Sequence, residues 1–214
     1  MTLTEKAERI YSRHENIVDG AIHVAGMLFA VNAVAWLLLH VTVSVAASVT
    51  VYCVGLLAMI FASGFYNMVP ETAWAKQILR RIDHSAIFIM IAATYTPFAA
   101  LRLGAPFGTI ILISIWLCAS AGIALKVLFP RRFEMASIAL YIGMGWMCVT
   151  VLKPLAESMA TIDFWLLMGG GLVYSAGVVF YVIERIPFHK AIWHAFVLVA
   201  AILHFSAVAM EFAT

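Results

Sequence analysis

Charge is what this chain lacks. Of 214 residues, 11% are charged and 64% are hydrophobic, with a mean hydropathy of +1.01. A soluble domain carries about 25% charged residues. So little charge excludes an ordinary soluble enzyme and points to an integral membrane protein. Cysteine is also scarce. Cys53, Cys118 and Cys148 are odd in number and lie inside apolar runs, which excludes a disulfide framework and reads as small buried hydrophobes. No cleaved leader is expected. The first 16 residues are polar, and the first apolar run is long enough to span and stay. The length fits a single domain, residues 1–214.

What the chain has is long apolar runs. A bilayer core needs about 20 apolar residues as helix. Seven segments qualify: 18–40, 43–66, 84–103, 106–128, 134–152, 163–183 and 190–211. The fold class is therefore an all-α, seven-transmembrane helix bundle. Lys6, Arg9, Arg13, Lys76, Arg80, Arg81, Lys126, Arg131, Arg132, Arg185 and Lys190 fall on one side, and only Arg102 and Lys153 on the other. That bias predicts a cytoplasmic N-terminus and an outer C-terminus. Membrane lipids are the expected partners and nucleic acid is not; the residues identify no protein partner.

Between spans 2 and 3, "ETAWAKQILRRID" (Glu71 to Asp83) sets Trp74, Ile78 and Leu79 against Lys76, Arg80 and Arg81. It reads as a short interfacial helix or as a polar loop that only sets topology. "TYTPF" puts Pro97 late in span 3, where a kink is expected. Gly169 to Gly171, Ser175 and Gly177 read as a close packing face on span 6.

Polar residues at spans are functional candidates, and here they gather at the cytoplasmic ends. Asp19 and His23 open span 1. Ser63 and Asn67 close span 2. Asp83 and His84 precede and open span 3. His189, Lys190 and His194 open span 7. Each also has a structural reading. Ser63 can bond a carbonyl one turn back, Asp83 can cap span 3, and His23 can bond backbone or headgroup. Desolvated polar groups need partners, and these have one another. His204 lies ten residues beyond His194, about 15 Å deeper, and reads as a hydrogen-bonded interhelical histidine.

The stretches "SGFYN", "RRIDHSAIFIMIAATYTPF", "MGWM", "GGGLVYSAGVVFYVIERIPF" and "AIWHAFVLVAAILHF" run in order across the chain. With them the sequence resembles the hemolysin III branch of the progestin and adiponectin receptor family. The resemblance implies a bacterial inner-membrane protein with one zinc ion at the cytoplasmic end. Its ligands would be the histidine of a Ser-x-x-x-His motif in span 2 and both histidines of a His-x-x-x-His motif in span 7. An Asp after span 2 and the motif serine lie beside the metal. Carried over by position, Ser63, Asp83 and His194 match. Asn67 and Lys190 stand where the other two ligands belong, and Asp19 takes a place where the family often has Asn.

Asn is a poor zinc ligand, and an ammonium repels the ion. His189 sits five residues before His194, turned about 140° away, against about 40° for a four-residue spacing. Only an unwound first turn after Pro187 would bring it round. Asp83 and His194, with His23 or His84, could supply another ligand set. Zinc of the family kind is thus expected to be absent or weak, with a Lys190–Asp83 pair replacing it across spans 2, 3 and 7. Three functions follow. One is a non-catalytic regulator of membrane state, its fluidity or energetics. Another is a metal-dependent hydrolase of lipid amides, with Ser63 stabilising an oxyanion and Asp83 as general base. The last is a pore-forming cytolysin.

Overall fold

Apolar runs of this length have one stable form in hydrocarbon, the helix that satisfies its own backbone. The computed structural model, which describes residues 11–70, 72, 74–130 and 132–214, has seven spans long and apolar enough to cross a membrane. They are built from α1 (Arg13–His40), α2 (Val43–Met68), α3 (Lys76–Leu101), α4 (Phe107–Leu128), α5 (Glu134–Gly145), α6 (Leu152–Ser158), α7 (Thr161–Val182) and α8 (His189–Phe212), with a 3-10 turn at Met147–Val151 joining α5 and α6. Helix α3 is the most buried and packs on α2, α4 and α5. Helix α8 packs on α7, α1 and α2. Tyr11 meets His189 at one end of the bundle, and Val41 bridges Ala213 at the other. All three cysteines are free.

Three expectations are corrected. The segment before span 3 is no separate interfacial helix: from Lys76 onward it is the first turns of α3. Glu71 lies outside the described residues. Lys76 does not face headgroups. It is buried, and its Nζ donates to the carbonyls of Tyr66 (2.7 Å) and Val69 (2.9 Å), groups that a helix C-terminus leaves orphaned. Trp74, Ile78 and Ile82 remain as an exposed apolar edge. Because the helix starts at Lys76, Asp83 lies inside it and caps nothing.

The fifth span is also broken rather than continuous. Pro154 cannot donate to the Thr150 carbonyl, and its ring crowds that group. The Tyr95 hydroxyl bridges the other junction, between the end of α5 and the 3-10 turn. It donates to the Gly145 carbonyl (2.9 Å) and accepts from the Cys148 amide (2.8 Å).

Between α7 and α8 the glycines behave unequally. A Cβ on Gly170 would lie 2.1 Å from the His204 ring, and one on Gly177 2.8 Å from Phe196, whereas Gly169 and Gly171 face open space. His204 donates its Nε2 proton to the Leu167 carbonyl across this seam (3.1 Å). At the C-terminal end, the buried Glu211 carboxylate is paired with Arg102.

Candidate functional site

The site is assembled by the first turns of α1 and α8. Ser12 caps α1: its hydroxyl accepts from the Glu15 amide, and Glu15 Oε2 accepts from the Ser12 amide (2.8 Å), a capping box. The other oxygen, Oε1, accepts from the Phe188 amide (3.0 Å) just before α8. One carboxylate therefore ties two helix N-termini together, where negative charge is favoured. Phe188 is held left-handed at φ 58, which is uncommon for a non-glycine residue. His189 then starts α8 and turns away from the site. Its Nδ1 donates to the Phe180 carbonyl (3.1 Å), which leaves Nε2 to accept from the Tyr11 hydroxyl (3.2 Å).

One and two turns further in, the charges meet on Asp19. Its carboxylate is buried on α1. His194 Nδ1 donates to Oδ1 at 2.5 Å, and Lys190 Nζ lies 3.2 Å from Oδ2. Side-chain exposure is 5% for Asp19, 10% for His194 and 22% for Lys190, so this pair is largely withdrawn from water. His23 packs its ring on His194 at 4.4 Å between centroids. Its Nε2 is 3.7 Å from Oδ2, too long for a hydrogen bond, and is buried without a partner.

The remaining candidates form a second group on α2 and α3. Asn67 Nδ2 donates to the Ser63 carbonyl (2.8 Å), back along its own helix, and reaches the Ser63 hydroxyl at 3.4 Å. His84 Nδ1 donates to the Arg80 carbonyl (2.8 Å) and lies 3.5 Å from Asp83 Oδ2. Among the described residues, the ion pairs of Lys190 and His194 are made with Asp19 and not with Asp83. The expected Lys190–Asp83 pair is thus corrected: Lys190 pairs with Asp19. Asp83 already has His84 beside it, and Asp19 lies on the helix that α8 packs against. The link joins α1 to α8, the first and seventh spans, rather than the second, third and seventh.

These residues do not fit a zinc ion in the arrangement the resemblance implies. Asn67 is spent on its own helix, and Lys190 brings a positive charge to the carboxylate a metal would want. A different trio, Asp19, His23 and His194, has donor atoms within 4.8 Å of one another and is the only such group among the described residues. With Lys190 at 3.2 Å from Asp19, a metal there would face an ammonium at close range, a repulsion of several kcal/mol at an effective dielectric of about 20.

Three contacts were not anticipated from the sequence. The Glu15 tether was readable in part, because "SRHE" is a capping-box pattern. The Lys126–Glu134–Arg80 network, at 2.6 and 3.2 Å, joins α3, α4 and α5 beside His84 and had no local signal. Nor did the pairing of Glu211 with Arg102.

A family model described as "Haemolysin-III related" matches residues 11–205. A protein named Hemolysin-3 from Bacillus cereus is 37% identical over 201 residues, 92% of this chain and 91% of that protein. The Hemolysin-3 homolog of Bacillus subtilis is 36% identical over 193 residues, 88% of this chain and 90% of the homolog. The human monocyte to macrophage differentiation factor is 31% identical over 166 residues, covering 74% and 67%.

Proposed function

The chain belongs to the haemolysin-III-related family, and we propose that it is a non-catalytic member in which an ionic cross-link replaces the zinc. It is a multi-pass membrane protein, and the proposed role is regulation of membrane state, with lipids as partners and the polar site on the cytoplasmic side. The observation that carries this reading is Lys190 Nζ at 3.2 Å from Asp19 Oδ2, with His194 on the other oxygen at 2.5 Å. An ammonium takes the place of a cation, and the surviving family ligand His194 is committed to the same carboxylate.

A metal-dependent lipid-amide hydrolase is the second reading. It is favoured by the Asp19, His23 and His194 trio. A cytolytic pore gains no such support. The cavity of about 150 Å³ inside the bundle is lined mainly by apolar and aromatic side chains.

Metal analysis of the purified protein separates the first two. The natural chain is expected to hold far less than one zinc. The variant Asn67→His, Lys190→His, Asp19→Asn, which restores the family pattern, is expected to hold about one per chain. Stoichiometric zinc in the natural chain, lost on His194→Ala, would overturn the proposal in favour of the hydrolase.

A further inference from the structure

Asn32 lies on α1 eight residues before His40 and thirteen after Asp19, so about 12 Å inside one end of the helix and about 20 Å from the other polar cluster. That is within the hydrocarbon. It is nevertheless exposed on the bundle surface. Its Nδ2 donates to the Leu28 carbonyl (2.7 Å). One N–H and the carboxamide oxygen remain, with no partner among the described residues. The hydroxyls of Ser120 and Ser206, by contrast, each donate their only proton to a carbonyl one turn back. Acyl chains offer no hydrogen bonds, so the residual capacity of Asn32 is costly unless another protein surface meets it.

The surroundings suit a helix. Ala21, Ala25, Leu28, Asn32, Ala35 and Leu39 are all exposed, at spacings of 4, 3, 4, 3 and 4. This is the seam spacing of a left-handed helix pair, in which a single Asn fixes register. Beside it lies a groove of about 380 Å³ lined by Leu28, Phe29, Asn32, Ala33, Trp36 and Phe205.

We propose that this face of α1 is a homodimer interface in which the Asn32 carboxamides of two copies hydrogen-bond to each other. A second copy is the fitting occupant for two reasons. A carboxamide is both donor and acceptor, so it complements itself. Two copies in one membrane also hold Asn32 at the same depth, so a two-fold axis along the membrane normal brings it against itself. This goes beyond the function proposed above and does not depend on it.

The test uses the full chain in liposomes, with donor- and acceptor-labelled populations mixed over a range of lipid-to-protein ratios. Energy transfer is expected to rise above random proximity as lipid is reduced. Asn32→Leu should weaken association about 3- to 30-fold, the range for intramembrane hydrogen bonds, while the folded fraction stays unchanged because the site faces lipid. In a Cys118→Ala background, Asn32→Cys should form a disulfide dimer under mild oxidant and Val31→Cys should not. A chain that stays monomeric at every ratio, as it would with only lipid or a different protein in the groove, overturns the proposal. So does association unchanged by Asn32→Leu, or equal cross-linking through Val31→Cys.

Discussion

Replacing the charges of Asp19 and Lys190, singly and together, tests whether they work as a unit. At 3.2 Å and an effective dielectric of about 20, the gross attraction is about 5 kcal/mol. Desolvation offsets much of it. A fully buried pair broken on one side costs about 3–5 kcal/mol, and an exposed one about 0–1. Lys190 keeps 22% of its side chain exposed and Asp19 5%, so the coupling should lie between these limits, at about 2 kcal/mol. Asp19→Asn keeps an oxygen for His194 but removes the charge, and should cost about 2–3 kcal/mol. Lys190→Met should cost about 2. The double variant should cost little more than either alone, because neither change then leaves an unpaired charge. The assay is equilibrium unfolding in bicelles, by denaturing detergent or steric trapping, repeated at high salt, to which a withdrawn pair should be nearly indifferent. Coupling within about 0.5 kcal/mol of zero would refute the cross-link, since independent sites add to that precision.

Glu15→Gln should weaken the joint cap of α1 and α8 by about 1 kcal/mol, read as faster amide exchange at Phe188 with exchange near Val41 and Ala213 unchanged. Tyr95→Phe removes the hydroxyl that serves Gly145 and Cys148, and should cost about 2 kcal/mol, with exchange rising locally at residues 145–148. Gly170→Ala puts a methyl group into the His204 ring, and should destabilise by about 1–3 kcal/mol; adding His204→Ala should recover part of that loss, measured by the same unfolding assay.

Much of the fold was legible because the solvent leaves little choice: a long apolar run in hydrocarbon must be helix. The errors fall where a remote group decides. The sequence sets span 3 at 84–103 because the basic residues of "KQILRR" interrupt the apolar run, so that the segment reads as a separate interfacial helix or a polar loop. It is helix from Lys76, whose ammonium is drawn to the carbonyls that end α2. The junction after α5 is bridged by Tyr95, some fifty residues away in sequence. At the site, helix depth already grouped Asp19, His23 and His194, since each lies within the first turn or two of an expected span. Depth carries no azimuth, however. Which carboxylate Lys190 reaches is set by how α8 is rotated against α1 and α2, and no spacing in the sequence encodes that. The same limit hid Asn32: its position inside span 1 was plain, but whether it faced the core or the lipid was not.

The departures from the family pattern make physical sense only together. Lysine at a ligand position beside a dication would set two positive charges against each other. With the metal gone and a neutral Asn at position 19, the ammonium would lie largely buried with no close counter-charge. In the proposed reading aspartate at 19 supplies that charge, and because the Asp19–Lys190 pair is neutral a site without its dication would hold no unpaired ion. The cost is topological. A zinc held by the second and seventh spans would clamp α2 to α8 at this end. The Asp19–Lys190 pair clamps α1 to α8 instead, and Asn67 bonds only to its own helix. The end of α2 is then fixed by other means, among them the Lys76 ammonium on its last carbonyls. Restoring histidines at 67 and 190 would rebuild the clamp on α2, and Asp19→Asn in the same variant returns position 19 to the residue the family often has there and frees His194 from the carboxylate that now holds it.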